Sequence, residues 1–123
     1  MVTGVTAFAQ RVAESLLRND RLGDHAPIYR ANRERVLDAA RRAELRMIPP
    51  EGTFYGFIQL PPRLARESTR SAERIVEETR VVTVPGLAFG ASGEGWIRIS
   101  WVAPIDEVEE GIRRIGDWLR VKG

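Results

Sequence analysis

The sequence has no cysteine, and only one lysine and one histidine among its 123 residues. Without cysteine there is no disulfide framework, no thiolate metal site and no cysteine nucleophile. A lone histidine, with no helix carrying metal-ligand spacing, leaves a histidine-based metal site unsupported. No run approaches the roughly 18 consecutive apolar residues of a membrane span. The amino terminus lacks a charged stretch followed by an apolar core, so no secretory signal is legible. These absences lead to the expectation of a cytoplasmic protein that meets no membrane.

What is present is a chain 43% hydrophobic and 29% charged, too apolar for intrinsic disorder. Its length suits one domain that buries roughly two thirds of its unfolded surface. Basic charge is carried by 18 arginines, which lift the pI to about 9.6. Residues 1–50 hold nine arginines against six acids, and residues 51–123 hold nine arginines and Lys122 against eleven acids. So small and diffuse an excess argues against nucleic acid, whose binding needs a concentrated basic stripe. A small RNA-binding sandwich is also disfavoured by an expected lack of exposed aromatics on the central strands.

Periodicity divides the chain. Thr6 is a plausible N-cap for a helix whose Phe8, Ala9, Val12, Ala13, Leu16 and Leu17 form ridges spaced by four. A second helix is predicted from about Pro27 to Leu45, with Tyr29, Asn32, Val36, Ala40 and Ala43 as its stripe. Pro49-Pro50 stops it, and Gly52 offers a turn. The apolar run Phe54–Leu60 predicts a strand covered on both faces. A helix from about Arg63 to Glu78 follows, then strands Val81–Val84 and Trp96–Val102. Asp106 and Glu109 suggest a capping box before a last helix with Val108, Ile112, Ile115, Trp118 and Leu119 buried. The expected fold is an α/β two-layer sandwich, strand-helix-strand-strand-helix, preceded by a helical arm.

Arg98 is the leading candidate for chemistry. It lies in mid-strand, opposite Ile97, Ile99 and Trp101, where a guanidinium fork could hold a carboxylate through two parallel hydrogen bonds. From the residues alone the stronger reading is an exposed arginine on a half-solvated strand. The glycine-rich segment Pro85–Gly95 leads into a strand, whereas phosphate loops lead into a helix, so it reads as an irregular connection. His25 beside Asp24 could form a carboxylate–imidazole dyad, or stand idle at the start of a helix. Glu77-Glu78 and Glu109-Glu110 read as solvated helix surface.

Three blocks in order carry a resemblance. Pro50-Glu51-Gly52-Thr53-Phe54-Tyr55, then Val82-Thr83-Val84-Pro85-Gly86-Leu87-Ala88-Phe89-Gly90, then Gly93-Glu94-Gly95-Trp96-Ile97-Arg98-Ile99-Ser100 closely resemble the C-terminal part of class I/II aminotransferases. These are pyridoxal-phosphate enzymes of fold type I. The resemblance implies that residues 1–45 are a helical arm, with Ala9–Ala13 in the last large-domain helix and Tyr29 and Arg33 on the linking helix. It implies that residues 46–123 are the small domain. It gives Arg98 the substrate's α-carboxylate, sets the Pro85–Gly95 loop near the active-site mouth, and places Gly52 and Phe54 opposite the arginine.

The resemblance also shows what is missing. In this family a lysine forms the Schiff base with the cofactor and moves the proton. Here the single lysine is Lys122, one residue from the end. No catalytic or cofactor-binding residue is therefore assigned to this chain, which would hold no pyridoxal phosphate covalently and be inactive alone. Its expected partners are an amino acid and a 2-oxo acid in a complete enzyme, with a missing large domain or a homo-oligomer. The alternative is a non-catalytic carboxylate- or protein-binding module derived from the small domain. The first helix is expected to fold back on the rest or drive self-association, or else leave an apolar patch exposed.

Overall fold

A computed structural model describes residues 4–19 and 24–122. Helix α1 spans Ala7–Arg18 and α2 Ala26–Arg42. Strands β1, Met47–Ile48, and β2, Tyr55–Gln59, follow. Helix α3 is Ser68–Thr79, strand β3 Val84–Pro85, strand β4 Trp96–Ser100 and helix α4 Ile105–Lys122. Two 3₁₀ turns, Gly86–Phe89 and Ala91–Gly93, join β3 to β4. The sheet is antiparallel in the order β1-β2-β4-β3.

The register decides what each face carries. Ile58 lies opposite Ile97 and Gly56 opposite Ile99, so these residues share one face. That face is closed by α2, α3 and α4 through Val36, Ala39, Ala40, Ile75, Ile112, Ile115, Trp118 and Leu119. Phe57 lies opposite Arg98, and Arg98 opposite Val84, so the other face carries an aromatic, a cation and an aliphatic in one row. The two-layer α/β arrangement is the expected one, and the α4 stripe buries as its spacing predicts. The second half of α2 enters the same core.

Several local expectations are corrected. The β2 run is not covered on both faces: Gly56 and Ile58 are buried, while Tyr55, Phe57 and Gln59 are only half-buried. Strand β1 was not anticipated; Met47 and Ile48 pair with Ile58 and Phe57 before the prolines. Helix α3 begins at Ser68, because Pro61 and Pro62 accept turn hydrogen bonds from Leu64 and Ala65 and occupy the chain up to there. The strand expected at Val81–Val84 starts only at Val84, and β4 stops at Ser100. Asp106 is inside α4 instead of capping it, since the Pro104 carbonyl accepts the N–H groups of Glu107 and Val108. The Glu109 carboxylate reaches across to Arg35 on α2 at 2.8 Å.

Helix α2 ends in a Schellman turn. Leu45 N–H donates to Ala40 at 2.9 Å and Glu44 N–H to Arg41 at 3.0 Å, with Glu44 held at φ 58° where glycine is usual. Beyond it α2 and α4 touch closely: a Cβ on Gly116 would meet the Ala43 Cβ at 2.8 Å. Helix α1 is capped as expected, Ala9 N–H donating to the Thr6 hydroxyl at 3.3 Å. It does not fold back, however. None of its residues is buried, and Phe8 is 77% exposed.

Candidate functional site

Arg98 sits in the middle of β4 on the face without helices, as its alternation predicts. Its guanidinium carbon lies 4.1 Å from the Tyr55 ring centroid and 4.6 Å from that of Phe89. Phe89 stands edge-on to Phe57, centroids 5.6 Å apart. Rings at these distances attract the cation through their quadrupoles and leave its hydrogen-bonding capacity unspent. Among the described residues, no ion pair or side-chain hydrogen bond takes up the Arg98 N–H groups. Ion pairs among the described residues occupy cations on the helices, so the arginine in mid-sheet is set apart by geometry. Such a fork suits a planar carboxylate.

The aromatics here correct one expectation. The open face of the central strands does carry Tyr55, Phe57 and Trp96, each half-buried. Tyr55 packs on Arg98 and Phe57 on Phe89 of the loop, so these two rings belong to the arginine's site.

The row continues toward α2. Tyr55 packs on Phe54 at 4.5 Å, and Phe54 on Tyr29 at 5.8 Å. A cleft of about 270 Å³ lies there between Tyr29 and Arg33 of α2 and the Gly52–Phe54 turn. The turn is strained, with Thr53 at φ 65°, and its hydroxyl accepts the Tyr55 N–H at 3.1 Å. Arg33 lines the cleft with its Nε buried and unpartnered. Three roomier clefts, about 610, 600 and 480 Å³, do not include Arg98: one lies at the Leu45–Arg46 and Pro61–Pro62 bends, one between α4 and residues 80–82, and one between α2 and the outer side of α4.

The Pro85–Gly95 segment is an irregular connection, and its glycines serve the chain itself. A Cβ on Gly86 would overlap the Gly93 carbonyl, and one on Gly93 would overlap that of Gly86. The two backbones thus close the neck of a small loop that carries Phe89. Glu94, just past the neck, accepts the Ser68 N–H at 2.9 Å and the Ser68 hydroxyl at 2.8 Å. These donors hold its carboxyl below the usual carboxylate range, its own desolvation opposing them. The contact spans 26 positions, so no local pattern announced it.

Other candidates carry no such geometry. His25 is exposed at the start of α2 and makes no side-chain cap, while the Asp24 carboxylate accepts the Ala26 N–H at 3.1 Å. The acidic pairs are more than solvated surface. Glu78 accepts the Trp118 indole N–H at 2.9 Å, and Glu110 is gripped by Arg113 and Arg114, which pull its carboxyl down to about 2.

Lys122 is the remaining question. Its amine pairs with Glu78 at 3.4 Å at the end of α4, in the helical layer and across the sheet from Arg98. The residues present therefore do not fit covalent attachment of pyridoxal phosphate beside Arg98. No described helix is long and apolar enough to cross a membrane.

Comparison with known proteins bears on the family and the fold. The model of the family "Aminotransferase class I and II" matches residues 2–115. An LL-diaminopimelate aminotransferase of Dehalococcoides mccartyi is 27% identical over 118 residues, 94% of this chain and 30% of the relative. A valine–pyruvate aminotransferase of Mycobacterium tuberculosis is 34% identical over 93 residues, 74% of this chain and 24% of the relative. Among solved structures, an aminotransferase from Mycobacterium tuberculosis superposes with a TM-score of 0.66 at 34% identity, covering 76% of this chain and 24% of that one. The aromatic aminotransferase of Pyrococcus horikoshii gives 0.66 at 31% identity, covering 76% and 25%. The chain spans less than a third of the length of these relatives. It belongs to the class I and II aminotransferase family and resembles its C-terminal region.

Proposed function

We propose that this chain supplies the substrate-carboxylate site of an aminotransferase, with Arg98 binding the α-carboxylate through its planar fork. The complete enzyme would pass an amino group between an amino acid and a 2-oxo acid, substrates that share this carboxylate. The relatives' names, which include LL-diaminopimelate and valine–pyruvate aminotransferases, are consistent with that common feature. One observation supports the reading most: a mid-strand guanidinium walled by Tyr55 and Phe89 and free of ion pairs among the described residues.

In such enzymes pyridoxal phosphate supplies the electron sink for amino transfer, held by a lysine. This chain's part is to bind and orient the carboxylate; the lysine belongs to another segment or chain. Residues 46–123 would be the small domain, and residues 1–45 the arm joining it to the missing large domain or to a second copy. The exposed apolar face of α1 is the surface such a partner would cover. A second reading, a carboxylate- or protein-binding module without catalysis, is favoured by the position of Lys122 in the helical layer.

The test is direct. The isolated chain mixed with pyridoxal phosphate and an amino donor is expected to show neither the absorbance band of a lysine-bound cofactor nor turnover. Appearance of both would overturn the assignment of the lysine to another segment.

A further inference from the structure

Arg98 is half-buried on an open sheet face, and one of its two aromatic walls, Phe89, is itself 49% exposed. An exposed ring is not held in place by burial, so its position depends on the loop that carries it and on its contact with Phe57. That loop is closed at the Gly86–Gly93 neck, where Gly86 also lies against the Trp96 carbonyl of β4. A side-chain tie to α3 comes one residue later, where Glu94 grips the first residue of that helix with two hydrogen bonds. Glu67, at the N-cap position of α3, makes no side-chain cap, its carboxylate lying 3.7 Å from Arg70 instead.

We propose that Glu94 is a positioning residue for Arg98: by capping α3 at Ser68 it fixes the Gly86–Gly93 loop so that Phe89 stays against the guanidinium and sets its fork for a carboxylate. The proposal rests on the reading of Arg98 as a carboxylate-binding group. It assigns a role in ligand binding to a residue that need not touch the ligand. Gly95, at φ 84°, follows directly and continues the chain into β4, so the same short stretch sets both the loop and the strand that bears Arg98. A carboxylate at Glu94 supplies two acceptors for two donors. Glutamine would keep one oxygen acceptor, and alanine neither.

The experiment is a chemical-shift titration of the 123-residue chain with pyruvate, following the Arg98 Nε–H resonance, which the Phe89 and Tyr55 rings displace. In Glu94→Ala this resonance is expected to move toward that of an unstacked arginine, with and without pyruvate. Pyruvate binding should weaken about fivefold, the fold-change that loss of one helix cap corresponds to. Glu94→Gln should fall between the two. Glu73→Gly, which weakens α3 on its exposed side without touching the loop, should keep the native resonance and affinity. The proposal is overturned if folded Glu94→Ala retains the native Arg98 resonance and affinity, or if Glu73→Gly reproduces its effects. Should Glu94→Ala fail to fold, Glu94→Gln decides by the same two readouts. If pyruvate binds no variant, wild type included, the carboxylate reading fails, and the resonance comparison still decides the role of Glu94.

Discussion

The two faces of one strand behave differently. On β4, Ile97 and Ile99 are buried with Trp101 beyond them, sealed under three helices. Trp96, Arg98 and Ser100 alternate with them and remain half-buried or exposed. The first face is built by area, since every buried methylene adds stability and any apolar residue of the right volume would serve. The second is built by placement, with a cation held against two rings and its hydrogen bonds left over. The same five-residue strand therefore holds the fold together on one side and presents chemistry on the other.

The sharpest way to break this contrast is from the sealed side. Ile97→Ala removes a fully buried side chain and should cost about 2–5 kcal/mol, read as a lowered urea midpoint with an unchanged slope. A midpoint near that of the native chain would mean that the face is not the core. A smaller effect is expected in the helical layer, where Gly116→Ala pushes a methyl against Ala43 of α2, backbone included. Overpacking there should cost about 1–3 kcal/mol in the same measurement.

Acid should then loosen the helical layer. Glu94, Glu109 and Glu110 all have carboxyls lowered by donors present only in the fold, Glu110 from 4.5 to about 2. Stability they contribute is complete above the ordinary carboxylate value and is lost as pH falls through their folded values. Urea midpoints should thus fall progressively from about pH 4.5 toward 2, and less so in high salt, which screens these exposed pairs. The smallest effect is on the open face: Arg98→Ala should shift stability by no more than about 1 kcal/mol, the worth of its ring contacts. A large loss there would place Arg98 with the core and erase the contrast.

Much of this was legible in the chain. The alternation of Trp96–Trp101 put Arg98 on its face, and spacing by three and four named the buried stripe of α4. What escaped depends on pairs distant in sequence. Glu94 and Ser68 are 26 positions apart, and Arg35 meets Glu109 across 74. The mutual closeness of Gly86 and Gly93, or of Gly116 and Ala43, is likewise a fact of tertiary contact that periodicity does not register. Helix α1 shows the converse. Its pattern announces an apolar face, yet Phe8 and Leu17 are exposed, because a stripe states the need for a partner without saying which surface meets it. The absence of an internal lysine and its consequence needed no structure; the fold adds that Lys122 pairs with Glu78 across the sheet from Arg98.

The central claim is that Arg98 binds a carboxylate through the geometry of its fork. Calorimetric titration of pyruvate into the native chain and into Arg98→Lys tests it most directly, because lysine keeps the charge and loses the planar pair of donors. The account predicts measurable binding to the native chain and about tenfold or greater weakening in the variant, the order expected when charge-assisted bidentate hydrogen bonds are lost. Equal affinity in the two proteins would contradict it.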